Sequence, residues 1–253
     1  MPRSPHEIAS RSRYRHRGSR VARSIGLLSL FTAGFTMFAS PASATVVAIW
    51  HMDEPSGAVT MADSAGTGGT NNGKIGGTVT TGEPGLVSGN AYSFGGATSY
   101  VEVADNGSLD PGAQDMTVSA TVRTVGGTMP DDSYDLVRKG LTTTAGGDWK
   151  MEIKRASNPA VGKLNCVFKG VMADGRRVPV ARIANVNLND GLQHTVTCKK
   201  TPSSVQAIVD GRTFTTSKVT GWIDNNAGVI VGAKSAADDV LQGTLDEVSV
   251  DIG

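Results

Sequence analysis

The stretch "DGLQHTVTCKK", residues 190–200, decides the fold. Asp190-Gly191 is a tight-turn dipeptide. After it, Leu192, His194, Val196 and Cys198 fall on one face under a period of two. A second stretch, "KLNCVFK" (163–169), repeats the pattern with Leu164, Cys166 and Phe168. Each cysteine therefore sits on the apolar side of a strand.

Working outward, the same period recurs along the chain. "TVVAIWHM" (45–52) is a nearly continuous apolar strand, and "DEPSGAVTMADSAGTGGTNNGKIGG" (53–77) reads as a long loop. "AYSFGG" (91–96) and "SYVEVA" (99–104) are short strands about a Gly-Gly turn. In "DMTVSATVRT" (115–124), Met116, Val118, Ala120 and Val122 line one face, and Thr117, Ser119, Thr121 and Arg123 the other. Further strands are expected at 134–140, 149–155, 163–170, 177–184, 192–200, 205–211, 228–233 and 244–252. No segment has a 3.6-residue period. Abundant glycine (32 residues) and few aromatics (5%) suit short strands joined by turns. The pattern predicts an all-β antiparallel sandwich over residues 45–253, one domain without an internal linker.

The first 44 residues read differently. Seven arginines lead into the apolar run "IGLLSLFTAGFTMFA" (25–39), and "PASA" follows with Ala42 and Ala44 at the small-residue positions. That order predicts a secretory signal peptide cleaved after Ala44. No Arg-Arg pair precedes the run, which favours the general secretory route over the twin-arginine one. An anchored helix is the alternative, but the run is shorter than the roughly 20 residues a span needs. Cleavage would remove seven arginines and Glu7, leaving 17 basic against 22 acidic residues in a 209-residue chain. Such a chain carries no basic footprint for nucleic acid, and no later stretch is long and apolar enough for a membrane span. A secreted, soluble monomer is expected.

His194 and Cys198 lie close enough in sequence to suggest a catalytic pair or a metal site. In an oxidising compartment, two remaining cysteines default to one disulfide, Cys166–Cys198, closing a loop of about 33 residues. A catalytic thiol needs a thiolate in a polar site, and these faces are apolar. His194 lacks a second His or free Cys as a metal co-ligand. It also lacks a nucleophile in a G-x-S-x-G context. It reads as a packed histidine bonded to backbone or a neighbouring hydroxyl.

"DGLQHTVTC" with "VQAIVDG" resembles the turn–strand–turn–strand of laminin G-like domains, where "DGxWHxV" precedes a strand ending "VDG". Gln193 stands at the usual Trp position. The opening "IWHMDEPSG…DSAG…G…GLVSGNAYSFGGATSYVEV" and the closing "GTLDEVSV" (243–250) resemble the same group. The likeness runs from Ala48 to Ile252 and implies a concanavalin A-like jelly roll, two curved antiparallel sheets packed face to face. That superfamily holds lectins, adhesion modules, β-glucanases and alginate lyases, so function must come from a site.

Retaining glycosidases need two carboxylates about 5 Å apart. The glucanases of this fold carry them as E-x-D-x-E on one strand, and nothing here matches. Glu102 and Glu152 stand singly, and Asp131-Asp132 and Asp238-Asp239 are adjacent pairs in loop-like contexts. "LQH" resembles the Q-I-H strand of the lyases, whose Tyr/Lys strand has no counterpart. The expectation is a non-catalytic module for an extracellular carbohydrate or protein ligand. The alternatives are a polysaccharide-degrading enzyme of the same fold and an adhesion domain with a protein partner. In "LDEVSVDI" the parity puts Asp246 with Val248, Val250 and Ile252, and a buried carboxylate must be paired or ligated. The resemblance implies a structural Ca²⁺ between the opening loop and the closing strand, with Asp63 and Asp246 as ligands and Asp53 and Glu54 next. Capping of loop N–H groups by Asp246 is the alternative. Among aromatics, Trp50 reads as core. Trp222, Trp149 and Tyr134 are the candidates for a sugar-stacking surface, with Arg138 and Lys139 as neighbours for an anionic sugar.

Overall fold

The computed structural model describes residues 44–66, 69–95 and 98–253. The expected signal peptide thus lies, up to Ser43, outside the described residues. Sixteen strands form among them. In chain order they are β1 (Thr45–Trp50), β2 (Thr60–Met61), β3 (Gly73–Gly76), β4 (Thr80–Pro84), β5 (Asn90–Phe94), β6 (Tyr100–Val103), β7 (Met116–Thr124) and β8 (Ser133–Lys139). They continue as β9 (Asp148–Arg155), β10 (Gly162–Val171), β11 (Arg177–Ile183), β12 (Gln193–Thr201), β13 (Ser204–Val209), β14 (Arg212–Ser217), β15 (Val229–Val231) and β16 (Gly243–Ile252).

One sheet runs β14-β13-β12-β7-β16-β5-β4, with β1 also paired to β16; the other runs β11-β10-β9-β8-β15-β6-β3-β2. Neighbours are antiparallel, and the two inner faces close on one core. This is the expected concanavalin A-like jelly-roll sandwich. The alternation in β7 buries Met116, Val118, Ala120 and Val122. Its outward Ser119 meets Thr197 of β12 by a 3.0 Å hydroxyl hydrogen bond. Trp50, Tyr92, Tyr134, Trp149 and Phe168 fill the middle, each large apolar side chain contributing about 1.5–3 kcal/mol on burial.

The expected disulfide is present. Cys166 on β10 belongs to one sheet and Cys198 on β12 to the other, with Cα atoms 5.4 Å apart. The bond ties the two layers through the core.

Three features depart from the sequence expectation. The long opening loop contains β2 and β3, and β4 and β14 were also unanticipated. These strands are short or polar, and β14 is an exposed edge whose Arg212 and threonines blunt further pairing. Second, β16 carries a bulge. Asp246 opposes Thr121 and Ser249 opposes Ser119, so one extra residue intervenes. Glu247 takes φ +50° there. Leu245, not Asp246, therefore continues the inward face of Val248 and Val250. The parity that grouped Asp246 with the valines is corrected: Asp246 points outward and is buried by other means. The bulge sits where β16 exchanges its partner, from β5 (Gly243–Leu245) to β1 (Val248–Ile252).

Third, His194 does not bond to backbone or hydroxyl. Its Nδ1 lies 2.7 Å from Asp210 Oδ2 and its Nε2 3.1 Å from Asp190 Oδ1. Burial opposes charging of the ring, but the two carboxylates outweigh it and raise its pKa above the ordinary value. The imidazole clamps the Asp190-Gly191 turn to the Asp210-Gly211 turn.

Candidate functional site

The four carboxylates considered for Ca²⁺ each accept hydrogen bonds from protein donors, with Asp246 Oδ1 left buried and without a partner. Asp63 Oδ1 accepts from Ile49 N–H (3.1 Å) and Ala65 N–H (2.9 Å), and its Oδ2 from the backbone and side-chain N–H of Asn71 (3.2 and 3.3 Å). Those bonds occupy its four lone-pair positions. Asp246 Oδ2 accepts from Leu86 N–H (2.8 Å) and Val87 N–H (3.0 Å) in the β4–β5 hairpin. The hairpin covers Asp246 completely, and burial pushes its carboxyl up. Asp53 accepts from Asn90 N–H (2.7 Å), and Glu54 from Ala62 N–H (2.6 Å) and the Tyr92 hydroxyl. Among the described residues, no three His, Cys, Asp or Glu side chains converge as a metal site. The amide hydrogens on Asp63 stand where a cation would need oxygens. The four carboxylates cap the opening loop and the hairpin.

Of the aromatic candidates, two are placed in the core. Trp149 pairs with Phe168 and Lys139 in register, is fully buried, and donates its indole N–H to Leu109 O (3.3 Å). It shares the inward parity of Met151 and Ile153, a signal present in "WKMEI". Tyr134 lies opposite Ile153 on the same face and is 1% exposed. Neither offers a ring face to a ligand. Lys139 is also inward: its Nζ donates to Asp105 Oδ1 (2.7 Å), Asn225 O (2.6 Å) and Ala227 O (2.9 Å), and lies 3.1 Å from Asp110 Oδ1.

Trp222 is different. It is 54% exposed although its backbone is pinned by reciprocal bonds with Val171 (2.7 and 2.9 Å). Its neighbour Ile223 is pinned to Gly112 in the same way (2.8 and 3.2 Å). The six-membered ring lies against Gly112, where a Cβ would come within 3.0 Å of Trp222 Cη2, and Gly112 takes φ +53°. A side chain there would push the indole away. Trp222 thus forms one wall of a cleft of about 250 Å³. Pro111 and Gly112 line it as well, along with Asp110, Gln114 and Asp224. Gln114 and Asp224 are exposed, so an amide and a carboxylate stand free beside an immobilised ring. Asp110 is held by Asn225 N–H (3.2 Å) and Lys139. Sequence reading found Trp222 but not its companions, because residues 110–114 and 222–224 meet only through the bridge between Gly112 and Ile223.

Register brings together a carboxylate pair on the outward face that the sequence did not show. Asp135 on β8 opposes Glu152 on β9, both outward. Burial outweighs the charge of Arg138 and holds the Asp135 carboxyl above the ordinary range. Burial opposes ionisation of Glu152 too, but Lys150 and Asn165 outweigh it and hold Glu152 below that range. Asp135 Oδ2 accepts from Arg138 (2.5 Å), and Glu152 accepts from Asn165 Nδ2 (2.6 Å) and Lys150.

No protein-family model matches the chain, and no curated protein matches its sequence. Solved structures do match in fold. The binding domain of Paraclostridial mosquitocidal protein 1 aligns at TM-score 0.60 and 17% identity over 81% of this chain and 48% of that one. The receptor-binding domain of botulinum neurotoxin type G aligns at TM-score 0.54 and 10% identity over 81% and 47%. Domain 4 of AbnA, a GH43 extracellular arabinanase from Geobacillus stearothermophilus solved with arabinotriose, aligns at 0.58 and 17% over 83% and 93%. This chain spans about half the length of the two toxin domains. At these identities the likeness is one of fold, and the two toxin neighbours are binding domains.

Proposed function

We propose that this chain is a secreted, non-catalytic module that binds an extracellular carbohydrate, with the Trp222 cleft as its contact. The observation that carries the reading is the exposed indole, fixed against Gly112 beside the free polar groups of Gln114 and Asp224. A pyranose or furanose presents an apolar C–H face and a rim of hydroxyls. An aromatic plane takes the first, and an amide and a carboxylate take the second. Two neighbours that are binding domains and a third solved with arabinotriose support it. Export is supported by the basic head, apolar run and small-residue site, and by a disulfide.

The test is retention of the chain on a panel of neutral and acidic polysaccharides, with reducing ends assayed in the same tubes. Trp222→Ala should weaken retention about tenfold, the equivalent of about 1.4 kcal/mol of lost stacking. Retention unchanged in Trp222→Ala removes the cleft as the contact. A polysaccharide-degrading enzyme is the second reading, and the pair Asp135–Glu152 favours it, since environments that push two carboxyls apart suit acid–base work. Against it, both side chains are almost fully buried and bonded to Arg138, Lys150 and Asn165. New reducing ends, lost in Glu152→Gln, would establish the enzyme.

A further inference from the structure

The outward face of the sheet containing β8–β10 holds a groove of about 380 Å³. Register places Arg138 beside Lys150, and Lys169 beside Asp148, on that face. Lys234 and Asp239, from the segment between β15 and β16, complete the charged lining. Four cations therefore face two carboxylates, on a chain whose residues after Ala44 are net acidic. Three of the cations are partnered by carboxylates just outside the lining: Arg138 by Asp135, Lys150 by Glu152 and Lys234 by Asp238.

The cations are held but not exhausted. Arg138 donates Nε to Gly140 O (3.0 Å) and Nη1 to Asp135 (2.5 Å). Lys169 donates to the carbonyl and hydroxyl of Thr142 (2.7 and 2.9 Å), Lys150 to Glu152, and Lys234 to Asp238 (2.7 Å). A guanidinium has five N–H donors and an ammonium three, so each retains donors and is already oriented, which lowers the entropy of engaging a ligand.

Asp148 supplies an independent observation. It is 3% exposed, it lines the groove, and its Oδ1 is buried with no partner. A buried acceptor without a donor is costly; Asp135 Oδ1 and Asn165 Oδ1 on the same sheet face are also open, but neither lines the groove. A small inorganic anion would engage the lysines and be repelled by Asp148. A neutral sugar would give Asp148 a hydroxyl donor and leave the cations idle. One ligand class answers both demands: a sugar carrying its own carboxylate or sulfate.

We propose that this groove binds an acidic saccharide unit of an extracellular polysaccharide, its anionic group on Arg138, Lys150 and Lys169 and a hydroxyl donated to Asp148 Oδ1. The proposal rests on the reading of the chain as a carbohydrate-binding module and adds to it a second contact, separate from the Trp222 cleft.

The experiment is affinity electrophoresis of the chain at physiological ionic strength, where exposed charges are largely screened. The gels contain polygalacturonate, dextran sulfate or a neutral galactan, and the melting curve of each variant is recorded. Retardation by polygalacturonate alone identifies a carboxylated sugar, and by dextran sulfate alone a sulfated one. Lys150→Gln with Lys169→Gln should weaken that retardation by about tenfold, as expected for two charge-assisted contacts, and leave neutral binding unchanged. Asp148→Ala should weaken it, and Asp148→Asn, which keeps an acceptor oxygen, should retain it. Diffuse attraction predicts the opposite sign, because deleting a carboxylate from the groove strengthens it. Stronger retardation in Asp148→Ala therefore overturns the proposal. So does retention on galactan with none on either anionic polymer, a result that leaves the Trp222 reading standing. No retention on any polymer overturns both.

Discussion

Breaking the bond between Cys166 and Cys198 tests whether the two sheets are held by their core or by the strap through it. The cysteines are 32 apart in sequence and lie on opposite layers, so the bond closes about 33 residues of unfolded chain. The chain-entropy model gives a loss of about 12.5 cal/mol/K, or about 3.7 kcal/mol at 25 °C. For a domain of roughly two hundred ordered residues, each kcal/mol moves Tm by about 2–4 °C. Opening the bond should thus lower Tm by about 7–15 °C. Reduction of the unsubstituted chain isolates this effect, because both sulfurs stay in the core. Cys166→Ala with Cys198→Ala adds a cavity cost at two buried positions and should melt lower still. The assay is a thermal melt followed by circular dichroism, with free thiols titrated to verify each state. A reduced chain that melts within about 3 °C of the oxidised one would refute the reasoning.

His194 predicts a pH dependence whose sign follows from its clamp. Its folded pKa is raised by Asp210 and Asp190 above the ordinary 6.5, so the stability it contributes is complete below that value and is lost as pH rises through the folded pKa. Urea midpoints measured between about pH 5.5 and 8.5 should fall across this window in the unsubstituted chain and lack that component in His194→Gln; equal slopes would remove the clamp. Chelation by EDTA should leave Tm unchanged, because Asp63 is saturated by amide donors and Asp246 caps the hairpin; a drop of several degrees would restore a cation to the opening loop. Gly232 takes φ +85°, and a Cβ there would lie 2.1 Å from Phe94 Cε1. Gly232→Ala should therefore destabilise by at least about 2 kcal/mol in urea unfolding, and a neutral effect would show that the Phe94 ring yields freely.

The layers of this fold were legible because alternation survives wherever one strand face is buried. β7, β9, β10 and β12 each span seven or more residues of clean period two, and that alone set which cysteine faced which core. Alternation failed at β16 for a physical reason. A bulge inserts a residue without any mark in composition, and Asp246 looked as much like a core-face residue as Val248 did. Only the exchange of partner from β5 to β1 explains why the extra residue sits there, and partner exchange is a property of topology. β2 and β3 were missed for the opposite reason. They are held by neighbours distant in sequence, and their own residues carry almost no pattern.

The candidate sites follow the same division. Trp222 stood out because a large aromatic between glycine and polar residues has no strand face to enter. Trp149 and Tyr134 were chosen on residue type, whereas the parity of Met151 and Ile153 already placed Trp149 inside. The groove was invisible because its charges come from three strands and a connecting segment. In sequence each of Arg138, Lys150 and Lys169 reads as the solvated half of an alternating strand. Register turns those halves into one surface: Arg138 falls beside Lys150, and Asp148 beside Lys169. A sandwich needs only one face of each sheet for its core. The outward face is therefore free to collect such a constellation, provided its buried members find partners. Arg138 and Glu152 have found theirs within the protein. Asp135 Oδ1, Asn165 Oδ1 and Asp148 Oδ1 have not, and of these three Asp148 alone lines the groove, where a ligand's hydroxyl can reach a buried acceptor among held cations.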